Sequence, residues 1–180
     1  EPNQPRFTAP RRVEQVYGIA PTDPTEKKAQ VAVSWLTAPI TDSFELLALR
    51  VLERVLLANA ASPLRKALIE SNIGSALADT TGLNDDPKEA VFTAGLKDVN
   101  VEDAPAIETL ILETLQKLVT DGVDADMVAA AIHRFEIDNR EVSNSGMPFA
   151  FKPAFAMLGA YLYGGDPYSS LQFDADMARL

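Results

Sequence analysis

The chain has no cysteine and a single histidine, His133, among its 180 residues. The first absence excludes disulfides and thiolate metal centres, and is compatible with a reducing compartment. The second removes the usual material of a zinc site, which draws on histidine and cysteine. Basic residues are also scarce: 16 Lys and Arg stand against 26 Asp and Glu, for a net charge of −10. Nucleic-acid backbones are bound by clustered cations, so nucleic acid is not an expected partner. The acidic excess reads as a solvated surface. No apolar run approaches the roughly 20 residues that a membrane helix needs, so no membrane partner is expected. Phosphate-cradling glycine patterns of the G-x-x-x-x-G-K-[ST] or G-x-G-x-x-G kind are missing too.

What is present is a hydrophobic fraction of 47%, enough to build the core of one domain. EPNQPRFTAPRR at the start is polar and proline-rich with no apolar h-region. Residues 1–11 are expected to be a linker, residues 12–180 one domain, and the chain a fragment of a longer one.

Arg12 to Ile19, with Val13, Val16 and Tyr17, predicts an edge strand. From Lys28 to Thr37, bulky Val31, Val33 and Trp35 alternate with Ala32, Ser34 and Leu36, which predicts a strand covered on one side. Asp42 and Glu45 form a capping-box pattern for a helix from Ser43 to about Asn59. That helix is apolar around most of its circumference and should be the most buried in the domain. Ser62-Pro63 opens a second helix to Glu70, with Gly74 as its left-handed terminator. Ser75–Leu83 and Glu89–Leu96, parted by Asn84-Asp85-Asp86-Pro87, predict an antiparallel hairpin. Asn100 and Asp103 box the next helix, where Ile107, Leu110, Ile111, Leu115, Leu118 and Val119 recur at helical spacing up to Gly122. Further helices follow over about Ala125–Val142 and Pro153–Tyr163, then an amphipathic fragment over Leu171–Leu180. The order ββα(α)ββααα predicts an α+β fold with a largely antiparallel sheet and helices on one face.

The residues offer little catalytic chemistry. His133-Arg134-Phe135-Glu136-Ile137 starts like the inverted zinc motif H-x-x-E-H, but Ile137 stands where the second imidazole is required. His133 therefore reads as a surface or interface residue. Ser143, with Ser145 and Gly146 in the adjoining NSGMP, reads as a turn rather than a nucleophile elbow. Asp85-Asp86 and Asp121, Asp124 and Asp126 lack calcium-loop spacing and read as solvated caps and turns. Phe149, Phe151, Phe155, Tyr161 and Tyr163 could line a peptide-binding surface, but the helical spacing of Phe151, Phe155 and Leu158 favours core packing. No catalytic or metal-binding residue is expected, and no substrate-binding residue is singled out.

The helix from Ser43 followed by SPLRKALIESNIG, the hairpin after it, AAIHRFEIDNRE, and the run from NSGMPF to LYGGDPYSSLQF together resemble the pitrilysin/insulinase family of zinc metallopeptidases. The likeness is to the branch that contains presequence protease and falcilysin, and it covers most of residues 28–180. Proteins of this family look like four copies of one α+β roll closing around a chamber, with H-x-x-E-H on the central helix of the first copy. The chain resembles the second copy. The resemblance lays the motif on Arg50-Val51-Leu52-Glu53-Arg54, with arginines at both histidine positions. Arginine stays protonated and cannot ligate zinc. Glu53 is then expected to pair within the helix with Arg50 or Arg54.

By this resemblance the chain is a non-catalytic, chamber-forming domain with no cofactor of its own. Zinc would sit in the first domain of the parent, and the partners would be the parent's other domains and a peptide substrate. The fragment itself could self-associate. A soluble compartment, cytoplasmic or mitochondrial-matrix-like, is the expected location. The alternative is a scaffold subunit like the processing-peptidase-like core proteins of respiratory complexes, which share the roll and lack the metal.

Overall fold

The computed structural model describes residues 3–142, 146 and 148–180, with Ser170 described by its backbone alone. The fold is α+β, as its pattern of strands and helices predicts. Strand β1 (Ala29–Pro39) leads into α1 (Ser43–Leu57) and α2 (Pro63–Glu70). Two short strands, β2 (Ala76–Leu77) and β3 (Gly82–Asn84), precede the long β4 (Glu89–Val99). A 3-10 turn at Val101–Asp103 opens α3 (Ala104–Asp121), followed by α4 (Ala125–Arg140), α5 (Phe151–Leu162), a second 3-10 turn (Ser169–Leu171) and α6 (Phe173–Met177).

β4 is the central strand. It pairs antiparallel with β1 on one side and with β2 and β3 on the other. On one face, Val31, Val33 and Trp35 of β1 and Phe92, Ala94 and Leu96 of β4 pack with Leu64 and Leu68 of α2 and Ile107 and Ile111 of α3. Trp35 and Phe92, opposite each other in the ladder, bring their rings to 6.0 Å. The other face shows Ala32 and Ser34 to solvent. Alternation in β1 therefore works as the sequence predicts: the bulky residues face the helices.

α1 is the most buried helix, as its composition predicts. It supplies Leu56 and Leu57 to the core under the sheet, and Leu47, Val51 and Val55 to a second cluster with Ala131 and Phe135 of α4. Among the described residues it is the one element with buried side chains in both. Its six buried side chains gain on the order of 10 kcal/mol in gross apolar burial, before chain entropy is charged against them. Asp42 caps it by accepting from Glu45 N–H at 3.1 Å, while Asp42 N–H donates to Pro39 O rather than closing a box. At the 3-10 turn that opens α3 the Asn100–Asp103 capping box forms in both directions.

Several expected elements differ. Arg12–Ile19 is not a strand: it lies as exposed coil, held through side chains with no ladder bond. Ser75–Leu83 is two strands rather than one. Leu77 faces Leu96 and Gly82 faces Thr93, so five steps along one side match three along β4 and the surplus bulges out around Ala78 to Thr81. The left-handed residue after α2 is Asn72 (φ 56°) rather than Gly74. Gly74 is needed for a different reason, since a Cβ there would lie 2.5 Å from Lys97 O. α4 ends at Arg140, short of Val142, and of the following loop residues 143–145 and 147 lie outside the described ones.

α5 gives the largest correction. Phe151, Phe155, Leu158, Tyr161 and Leu162 are all about half exposed or more, and only Ala160 is buried. Phe151 and Phe155 stack on each other at 6.0 Å instead of entering a core. Gly159 of the helix lies beside Ile40, and Gly165, just after the helix, beside Thr41, both on the β1–α1 connection.

Candidate functional site

The segment that would carry metal chemistry by resemblance is Arg50–Arg54, in the middle of α1. Val51 faces α4 and is buried, whereas Leu52 is exposed. Helical spacing puts Arg50, Glu53 and Arg54, at i, i+3 and i+4, on one side of the helix, from which they reach three different neighbours.

Arg50 reaches the hairpin between β3 and β4, donating from Nε (2.9 Å) and Nη2 (2.5 Å) to Asp85 Oδ2. Glu53 Oε1 accepts from Leu83 N–H at 3.0 Å, a backbone donor on β3. Gly82 next to it has φ 131°, and a Cβ at that residue would come within 2.7 Å of Glu53 Oε1. Glycine at position 82 is what lets the carboxylate close on the strand. Arg54 turns to α4: its Nη1 donates to Asp138 Oδ2 at 2.9 Å, and its guanidinium lies 5.4 Å from the centre of the Phe135 ring. Arg134, one turn before Asp138, holds the other carboxylate oxygen at 3.0 Å.

The intrahelical pairing expected for Glu53 is therefore corrected. Neither arginine is its partner, because a backbone N–H and two carboxylates from other elements compete better for these side chains. The three side chains pin α1 to β3, to the β3–β4 loop and to α4. This donor set does not fit zinc: two positions are permanently cationic and already paired, and the one carboxylate is committed to a backbone donor.

The other candidates are dispersed. His133 is exposed on α4, and Glu136, close by in sequence, is bound to Arg140 at 2.9 Å. Asp124 caps α4, accepting from Asp126 N–H (2.8 Å) and Met127 N–H (3.2 Å), and Asp121 pairs with Lys117. Asp85 is an ion-pair partner, not a solvated turn residue. Ser143 and Ser145 lie outside the described residues; Gly146 has φ 78°. Among the described residues no group of three or more His, Cys, Asp or Glu could hold a metal ion. A cleft of about 550 Å³ opens between the end of α1 and the start of α4, lined by Arg54, Ser62, Asp124, Asp126, Met127 and Arg134. Its two cations already share Asp138, and Asp124 already serves as a cap. Sequence reasoning took Asp85 for a solvated turn residue and missed Asp138 and Gly82; no local signal in the sequence joins any of them to α1.

An antiparallel sheet backed by a central helix, with the helix's polar face spent on structural ties, is the arrangement expected of the non-catalytic roll that the sequence resembles. Comparison with known proteins agrees. The family model for the peptidase M16 inactive domain matches residues 1–135. The chain is 31% identical over 180 residues to the mitochondrial presequence protease of Xenopus laevis, and 33% identical over 179 residues to presequence protease 1 of Arabidopsis thaliana, chloroplastic/mitochondrial. These alignments take in 99% and 98% of the chain but 17% and 16% of the two proteases, so the chain spans about a sixth of their length. The solved inactive peptidase domain of a Bordetella parapertussis protein described as a zinc protease superposes with a TM-score of 0.63 over 83% of this chain and 77% of that one, at 18% identity. This chain belongs to the peptidase M16 inactive-domain family. Among the described residues no helix is long and apolar enough to cross a membrane.

Proposed function

We propose that the chain is the second, non-catalytic roll of a zinc-dependent peptidase that degrades unstructured peptides, presequences among them. In this reading residues 12–180 form the domain and residues 1–11 lead into it. The zinc belongs to another domain of the parent, and this roll supplies no catalytic, metal-binding or cofactor residue. It builds part of a chamber wall and the contacts that position the catalytic roll. A soluble compartment such as the mitochondrial matrix fits the presequence proteases it is similar to. The observation that carries the reading is the filled motif position, where Arg50, Glu53 and Arg54 each hold a neighbouring element. The exposed aromatic face of α5 favours a partner surface, either another domain of the parent or a second copy.

The test has two parts. The purified 180-residue chain is expected to carry no stoichiometric zinc by elemental analysis and to leave an unstructured peptide uncut; bound zinc or hydrolysis sinks the proposal. In the full-length protein, Arg50→Ala together with Glu53→Gln should keep the zinc content and lower kcat/KM. A parent sequence lacking H-x-x-E-H would transfer the chain to the scaffold class instead.

A further inference from the structure

The cleft of about 550 Å³ between the end of α1 and the start of α4 carries both signs of charge, one at each end. Between them its lining is apolar: Ala58, Ala130 and Ala131 contribute methyl groups alone, and Val55 is buried beside them. The two helices run antiparallel here. Arg54 meets Asp138 late in α4, whereas Ala58, one turn on, lines the cleft with Asp124 and Asp126 at the start of α4.

At one end stand two guanidiniums. Arg54 spends Nη1 on Asp138 Oδ2, and Arg134 spends Nε on Asp138 Oδ1. One carboxylate between two arginines leaves a positive charge over, together with most of their N–H donors. At the other end stand two carboxylates. Asp124 caps α4 through Oδ1 alone, and the exposed Asp126 side chain has no hydrogen bond or ion pair among the described residues. The negative end of α1 and the positive end of α4 meet there and largely offset each other, so the carboxylates set the sign. Asp126 and Arg134 do not neutralise one another. They stand on one helix with about 12 Å of axial rise between them, beyond ion-pair reach.

A ligand that matches this lining has an ammonium at one end, a carboxylate at the other and an uncharged middle. A lone cationic side chain would leave the arginine end unmatched, and a simple anion the aspartate end. A peptide with both termini free satisfies both, and at roughly 3.4 Å per extended residue a tripeptide spans about 10 Å. We infer that the α1–α4 cleft binds short free peptides, tripeptides best, with the amino terminus at Asp124 and Asp126 and the carboxylate on Arg134 and Arg54. Its volume falls within the range of small-molecule sites. The lining alone carries this inference. Only the origin of the ligand rests on the peptidase reading above, since hydrolysis in the parent would release such pieces. Binding to the isolated chain involves no hydrolysis, so either idea can fail while the other holds.

The test is a titration of trialanine into the 180-residue chain, followed by amide chemical shifts. Shifts are expected around Asn59, Met127 and Ala130, with N-acetyl-trialanine and trialanine amide each binding about tenfold more weakly than the free peptide. Asp126→Asn should weaken trialanine about tenfold and leave the N-acetyl peptide unaffected, because the group it would have met is already gone. Arg134→Gln should do the same to trialanine while sparing the amide, and Arg134→Lys, which keeps the charge, should restore most of the binding. Both positions are exposed, so the variants are expected to fold, and unchanged shifts across β4 and α3 verify it. No shift at millimolar trialanine overturns the inference. So do shifts confined to other elements, or blocked peptides that bind as tightly as the free one.

Discussion

α1 and α5 are the two most apolar-looking helices of the chain, yet one is the centre of the fold and the other lies largely uncovered. α1 buries Leu46, Leu47, Val51, Val55, Leu56 and Leu57; α5 buries Ala160. Neighbours make the difference. α1 is enclosed by the sheet side of the core and by α4, whereas α5 has the β1–α1 connection and the following 3-10 turn. An apolar helical face specifies that something covers it, and leaves open whether the cover comes from the same chain. The polar residues of the two helices differ in the same sense. Those of α1 are committed to other elements, while α5 has almost none to commit.

The contrast is broken most directly by truncating one leucine on each helix. Leu47→Ala, at a site only 4% exposed, should cost about 2–5 kcal/mol because it removes buried methyl groups and leaves a cavity against α4. Leu158→Ala, at a site 48% exposed, should stay within about 0.5 kcal/mol. Urea unfolding of the isolated chain measures both. Equal losses would mean that α5 is covered in solution, and the comparison would fail.

A smaller effect tests the ties of α1. Glu53→Ala leaves the Leu83 N–H without its acceptor and should cost about 1–3 kcal/mol. Gly82→Ala attacks the same contact from the strand side, through a positive φ and a Cβ 2.7 Å from Glu53 Oε1, and should cost a similar ~1–3 kcal/mol. If the two act on one contact, the double variant loses clearly less than the sum. Arg50→Met, which breaks a half-exposed pair with Asp85, should cost no more than about 1 kcal/mol.

How much of this could be read in advance divides along range. α1 and α3 were legible because a 3.6-residue apolar period and a capping residue are local signals, and Asp42 and the Asn100–Asp103 box do what such residues do. The one-sided strand β1 was legible from alternation. The partners of the motif position were not: Asp85 lies 35 residues from Arg50 and Asp138 84 residues from Arg54. Only the fold brings them together, so local sequence favoured an intrahelical pair that does not form. Arg12–Ile19 was misjudged because β-forming side chains report the ability to join a ladder, and in the structure that ladder is not made. That H-x-x-E-H could not be completed was readable from a single fact, one histidine in the chain.

The smallest effect expected sits on the surface, where a polar cluster joins β1, β4 and the bulge between β2 and β3. Asp79 Oδ1 accepts from Lys97 Nζ at 2.7 Å, and its other oxygen accepts from Gln30 Nε2 at 2.7 Å. The hydrogen bond from Lys97, then that from Gln30, hold the Asp79 carboxyl below the usual carboxylate range. The bond to Asp79, then its charge, raise the Lys97 ammonium above the usual lysine range. A depressed carboxyl stabilises the fold above the pKa it has in the unfolded chain, and the contribution is lost as pH falls through its lowered folded value. A raised ammonium does the reverse, losing its contribution as pH rises through its folded value. The pair therefore supports the fold fully between the ordinary aspartate and ordinary lysine values and fades outside that window on both sides. Lys97→Met should flatten the acid limb of a stability–pH profile measured by thermal unfolding at low salt. Because the pair is exposed, the difference from the parent chain should shrink as salt is added, in contrast to the Leu47→Ala loss, which salt screening cannot touch. A salt-independent difference would mean that Asp79 and Lys97 are covered, and would place the bulge among the buried ties of the fold.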